Sequence, residues 1–168
     1  MPVKVYIQSL VLAIAFLSVP LFTMAQVKPV VLPTNANHQI EYIENITVAN
    51  TDQSVLFRRA LNWLVTSKAY KFKKIDLLDN SFGRMLSSGR FVFNVDEVFL
   101  SLAIDVKDNK AQLKVTKFDY NMMVGNVPYD NLTNSKTKEA KILIPQVSEA
   151  MKILLKSFRD GMMSTEKI

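Results

Sequence analysis

From Val98 to Val106 every second residue is a large aliphatic: Val98, Leu100, Leu102, Ile104 and Val106, set against Phe99, Ser101, Ala103 and Asp105. Side chains alternate across a strand, so this period of two specifies a β-strand over 97–107 with one buried face. Asp108-Asn109 follows as a two-residue hairpin turn, and Ala111–Tyr120 repeats the alternation with Leu113 and Val115 inward. Two more stretches precede it. Phe72–Leu78 places Ile75 and Leu77 on one face and ends at Asp79-Asn80-Ser81; Arg84–Val95 places Phe91, Phe93 and Val95 on one face after Gly83. Four strands joined by short turns predict an antiparallel meander.

Helical periodicity brackets the meander. Leu56, Ala60, Trp63, Leu64 and Ser67 recur at steps of three and four, with Arg58, Arg59, Asn62 and Lys68 largely elsewhere, which predicts an amphipathic helix over 53–69 with Trp63 inward. Asn50-Thr-Asp-Gln53 supplies a capping residue and a glutamine three places on. A second helix is expected from Pro145 to about 159, burying Val147, Met151, Leu154, Phe158 and Met162, with Gly161 marking its fraying end. Ahead of the first helix, Ile40, Tyr42, Ile46 and Val48 predict a strand, bulged where the phase slips at Ile43-Glu44. The stretch 121–139 reads as a long loop, and 26–38, with Pro29 and Pro33, as a flexible tether.

The N-terminus has a different character. Lys4, an apolar run over 5–22 and Thr23-Met-Ala25 have the form of a secretory signal over 1–25, cleaved after Ala25 by a peptidase that reads small residues at −3 and −1. An uncleaved anchor is the competing reading, disfavoured by Pro20 and the small-x-small ending. Cleavage leaves no transmembrane segment and directs the domain over 39–168 to the periplasm or the exterior.

Residue inventory narrows the chemistry. The 168 residues include no cysteine and a single histidine, His38, in a polar stretch; thiolate nucleophiles, disulfides, zinc centres and a Ser-His-Asp triad all lack parts. The four glycines are isolated from one another, so no phosphate loop is present. No metal and no cofactor are expected. Asp76, Asp79, Asp105, Asp108 and Asp119 fall on strands that should be neighbours, which leaves a carboxylate-pair hydrolase conceivable, although each also suits a turn or a wet strand face. The formal charge of +6, from 21 basic and 15 acidic residues, suits an anionic surface or acidic partner in an exported protein. The clusters Lys71/Lys73/Lys74 and Lys107/Lys110/Lys114/Lys117 are interrupted by apolar and acidic residues, and solubility is the preferred reading of them.

The order strand, helix, four strands, helix resembles a single TATA-binding-protein-like repeat. Leu56-Phe-Arg-Arg-Ala60-Leu-Asn-Trp63, Lys73-Lys-Ile75, Asp79-x-x-x-Gly83 and Gly83-Arg-Met-Leu-Ser-Ser-Gly89 resemble, over 39–120, the exported Bacteroidetes family called domain of unknown function 4468. The resemblance implies an α+β fold, β-α-β-β-β-β-α, with both helices on one face of an antiparallel sheet. It implies an envelope address and no mechanism. DNA-binding relatives of the fold join two repeats and wedge phenylalanines between base steps; one repeat, exported, is not expected to bind nucleic acid.

A non-catalytic binding module is therefore the expected function, docking an envelope protein, peptide or glycan. By alternation Phe99, Lys114, Phe118 and Tyr120 should share the outer sheet face, with Tyr129 on the 121–139 loop. A bulge in either strand would reverse part of that set. The alternative is an apolar-ligand carrier with a cavity among Phe91, Phe93, Leu102 and Met151 between sheet and helix.

Overall fold

The computed structural model describes residues 32–93, 96–122, 125–128 and 138–164. The elements are β1 (Tyr42–Thr47), α1 (Gln53–Thr66), β2 (Lys71–Asp79), β3 (Arg84–Phe93), β4 (Asp96–Lys107), β5 (Lys110–Met122), β6 (Gly125–Pro128) and α2 (Lys138–Met163). All strand pairs are antiparallel, in the order β1-β5-β4-β3-β2, and β6 pairs the same strand, β5, beyond the end of β1. Both helices lie on one face, chiefly over β1, β4 and β5. The expected α+β arrangement is the one observed.

The buried face follows the period of two. Val98, Leu100, Leu102, Ile104 and Val106 of β4 point into the core with Ala111, Leu113 and Val115 of β5. From α1 come Leu56, Phe57, Ala60, Trp63 and Leu64, and from α2 Val147, Met151, Leu154, Phe158 and Met162. Trp63 anchors the helix–helix contact: its ring meets Phe158 edge-on at 5.0 Å and its Nε1–H donates to Ser157 Oγ at 3.0 Å. Gly161 lies in the last turn of α2, which ends at Met163. A Cβ there would come within 3.0 Å of Trp63 Cδ1, so the glycine is what lets the indole reach the helix.

Several local expectations are revised. In β1 the pairing with β5 is unbroken from Tyr42 to Thr47, and the apparent slip of phase is Glu44 taking an inward position. Glu44 survives there because Arg159 Nε of α2 donates to its Oε1 at 2.7 Å. The cap of α1 is supplied from elsewhere in the chain: Asp52 makes no side-chain capping bond, and Asp108 Oδ1 accepts from Gln53 N at 2.8 Å. The hairpin turn that carries Asp108 is held to the same helix end by Asn109, whose Oδ1 accepts from Thr51 N at 3.0 Å and whose φ is 62°. α2 begins at Lys138, seven residues before Pro145, which sits inside it on the exposed side at the cost of a helical hydrogen bond. β6 likewise occupies part of the expected 121–139 loop. At the other end, Pro33–Glu41 is a built turn, with Asn35 Oδ1 accepting from Asn37 N and Gln39 N at 2.9 and 3.1 Å and Leu32 packed on the core. The proposed signal over 1–25 and the first part of the tether lie outside the described residues.

Candidate functional site

Because both helices share one face, the opposite face of the sheet has no layer over it among the described residues. Cross-strand pairing sorts that open face into rows. One runs Asn45, Gln112, Asp105, Arg84; the next Ile43, Lys114, Ala103, Leu86, Leu77; the next Thr116, Ser101, Ser88, Lys74; and Asp119, Phe99, Arg90, Lys71 complete the set. Ala103, Ser101 and Ser88 are small, so the middle of the face is low. Phe99 stands at one side of this floor with Lys73 Nζ 5.8 Å from its ring centroid, a cation–π contact.

Around Phe99 lies a depression of about 270 Å³, lined by Lys73, Lys74, Asp76, Ser88, Ser101 and Lys117 among others. Lys74 is paired with Asp76 at 2.9 Å; Lys73 and Lys117 make no ion pair among the described residues, although the charge of Lys117 helps to hold the Asp76 carboxyl low. A second, polar trough of about 550 Å³ runs along the first row and includes Lys107 and Lys110. There Arg84 Nε donates to Asp105 at 2.6 Å, which raises the guanidinium pKa further, and Gln112 donates to Asn45 at 2.7 Å. Lys114 reaches Glu41 at 3.1 Å and Arg90 reaches Glu97 at 3.1 Å.

The structure divides the expected aromatic face. Phe99 and Lys114 are on it. Phe118 is not: it is 2% exposed, inside the core, with its ring 5.8 Å from that of Tyr42. The cause is a β-bulge, because Phe99 pairs with Asp119 but Ser101 pairs with Thr116, so Lys117 and Phe118 together oppose Leu100. Lys117 takes φ 55°, the left-handed conformation a glycine would adopt more readily, and stands exposed on the open side. One extra residue turns Phe118 inward. The side chain of Tyr120 and all of Tyr129 lie outside the described residues, as does the side chain of Phe93.

Sequence reasoning missed Lys73 and Lys117. Both lay in clusters assigned to solubility, and Lys117 becomes distinctive only once the bulge is seen. The expected core residues Trp63, Phe91, Leu102 and Met151 are all buried, between 0 and 6% exposed.

Of the five aspartates, Asp76 and Asp119 both line the Phe99 depression, and the other three are engaged elsewhere. Asp105 pairs with Arg84, and Asp108 caps α1. Asp79 closes its own turn, where bonds from Ser81 and Phe82 hold its carboxyl below the usual range. Asp76 is held low by its hydrogen bond from Lys74. A carboxyl whose proton is made easier to lose is poorly suited to general-acid work. No cluster of three or more metal-ligating side chains occurs among the described residues. Besides Arg84, the raised groups are structural tyrosines: burial pushes Tyr42 and Tyr70 up to about 12, with the bond to Ser87 opposing the rise at Tyr70.

No helix among the described residues is long and apolar enough to cross a membrane. No family model matches the sequence, and no curated protein matches it. Solved structures do match. A TBP-like protein from Parabacteroides distasonis superposes with a TM-score of 0.63 at 13% identity, over 80% of this chain and 98% of that one. A DUF4468 family protein from Bacteroides ovatus superposes with a TM-score of 0.58 at 12% identity, over 82% of this chain and 93% of that one. The chain therefore has the TBP-like fold, and its neighbours include a member of the family that its motifs resemble.

Proposed function

We propose that this is an exported, non-catalytic binding module of the cell envelope that docks a protein, peptide or glycan on its open sheet face at Phe99. The single observation that supports this most is the Phe99 depression, where a partly exposed aromatic, a low floor of serines and the lysines Lys73 and Lys117, neither held in an ion pair, adjoin one another. Such a mixture offers stacking area, hydrogen bonds and charge together. Lys114 lies two rows away and extends the same surface. An apolar-ligand carrier is the weaker reading, since Leu102 and Met151 are packed away at 1 and 0% exposure.

Export itself is testable by intact mass. The protein recovered from a secreting host should begin at Gln26; a species retaining Met1–Ala25 would favour an anchor instead. For docking, Phe99→Ala combined with Lys117→Glu should lose most capture of envelope-extract components by immobilised protein while melting at nearly the wild-type temperature. Ile153→Ala, on the exposed side of α2 at 55% exposure, is the control. Capture unchanged by the double substitution, or lost equally in the control, would remove Phe99 from the binding surface.

A further inference from the structure

Strand β2 ends the sheet, and it is an unusual edge. Phe72, Leu77 and Leu78 are 40, 39 and 49% exposed along a strand that also carries Lys71, Lys73 and Lys74 at one end and Asp76 and Asp79 towards the other. Pairing with β3 fixes the faces. Phe72, Ile75 and Leu78 stand opposite Gly89, Ser87 and Met85 on the helix side; Lys71, Lys74, Leu77 and Asp79 stand opposite Arg90, Ser88, Leu86 and Arg84 on the open side.

Written outward from Ile75, the strand is complementary to itself. Lys74 mirrors Asp76, Lys73 mirrors Leu77, Phe72 mirrors Leu78, and Lys71 mirrors Asp79. We infer that β2 pairs antiparallel with β2 of a second copy of this chain, about a two-fold axis through Ile75 perpendicular to the sheet, joining two sheets edge to edge. In that register the apolar residues Phe72, Ile75 and Leu78 meet on the helix side. Lys71 meets Asp79 on the open side, and Lys74 meets Asp76, which lines the open-side depression with it; the pair each chain makes internally at 2.9 Å is exchanged for two across the axis, where opposite charges across strands are stabilising.

Neighbouring registers fail. A slip of one residue sets helix-side residues against open-side ones. A slip of two places Lys74 on Lys74 or Asp76 on Asp76 at the axis, a direct like-charge contact. The two bulges in β2, which fall between Phe72 and Lys74 and between Ile75 and Leu77, together with the lysines, keep the edge from pairing indiscriminately. What remains is one self-complementary arrangement, isologous as a two-fold contact must be. It does not depend on the docking role of Phe99.

Sedimentation equilibrium of the purified chain tests it. The wild type should show a dimer whose population rises with concentration, and Lys74→Asp or Asp76→Lys should each weaken dimerisation by about tenfold or more, a change of roughly 1.4 kcal/mol. Each single variant sets like charges opposite one another at both symmetry-related contacts. Mixed in equal amounts, the two single variants should form a heterodimer, because every lysine again faces an aspartate. The double exchange Lys74→Asp/Asp76→Lys should dimerise as the wild type does. Because the chain has no cysteine, Ile75→Cys provides a single thiol at the axis, and mild oxidation should give a covalent dimer. A wild type that stays monomeric at roughly 100 μM, far above a micromolar dissociation constant, would overturn the inference. So would a dimer indifferent to both single substitutions, or a mixture that associates no better than its components.

Discussion

Trp63→Ala should lower stability by about 3–5 kcal/mol, the range for removing a buried aromatic. The indole is 5% exposed, stacks edge-on against Phe158 and binds Ser157 through its ring N–H. Truncation would leave a cavity between α1 and α2 and strip Ser157 of its donor. Gly161 sharpens the expectation, since the backbone of α2 has come close enough to the ring that a methyl group on Gly161 would already crowd it at 3.0 Å. Denaturant unfolding followed by circular dichroism checks the value. A loss below 1 kcal/mol would mean that the two helices are not joined through this ring.

The second large effect separates two phenylalanines that simple alternation places side by side. Phe118→Ala should also lower stability by about 3–5 kcal/mol, because the ring is 2% exposed and packs beside Tyr42. Phe99→Ala should lower it clearly less, by about 1 kcal/mol, the ordinary effect of a point substitution, because that ring is partly exposed on the open face beside Lys73. Comparable losses in both variants would show that the bulge at Lys117 does not exist in solution.

Most of the fold was legible because the strands of the meander carry their own turns and, outside β2, most of their own alternation; in β2 a bulge puts Ile75 on the helix side and Leu77 on the open side, where alternation sets both on one face. Val98 to Val106 could belong to nothing else, and Asp79, Gly83 and Asp108-Asn109 marked the reversals. The helix stripes through Trp63 and Met151 were equally plain. What stayed hidden was long-range. The inward Glu44 resembles a slip of phase until Arg159, 115 residues away, is seen to hold it. The cap of α1 comes from Asp108, 55 residues on, so a local capping pattern at Asn50-Thr-Asp-Gln53 pointed to the right place through the wrong atoms. Pro145 has the marks of a helix start, and nothing local announced that the helix already begins at Lys138.

The open face was half legible for the same reason. Phe99 and Lys114 precede or avoid the bulge in the pairing of β4 with β5, so alternation places them correctly. Phe118 follows it. Lysine is a poor marker of a left-handed bulge residue, since glycine is the usual occupant, and the sequence therefore concealed the shift at Lys117. Lys73 was hidden similarly, because β2 has two register shifts of its own.

The central claim is that the bulge at Lys117 buries Phe118 and leaves Phe99 on an open, basic surface. The most direct measurement is a set of ring-proton nuclear Overhauser contacts from the two phenylalanines in isotope-labelled protein. The structure predicts contacts from Phe118 to the ring of Tyr42, and from Phe99 to the side-chain methylenes of Lys73. Contacts from Phe118 to Phe99 or Lys73, with none to Tyr42, would place both rings on the outer face and contradict the account.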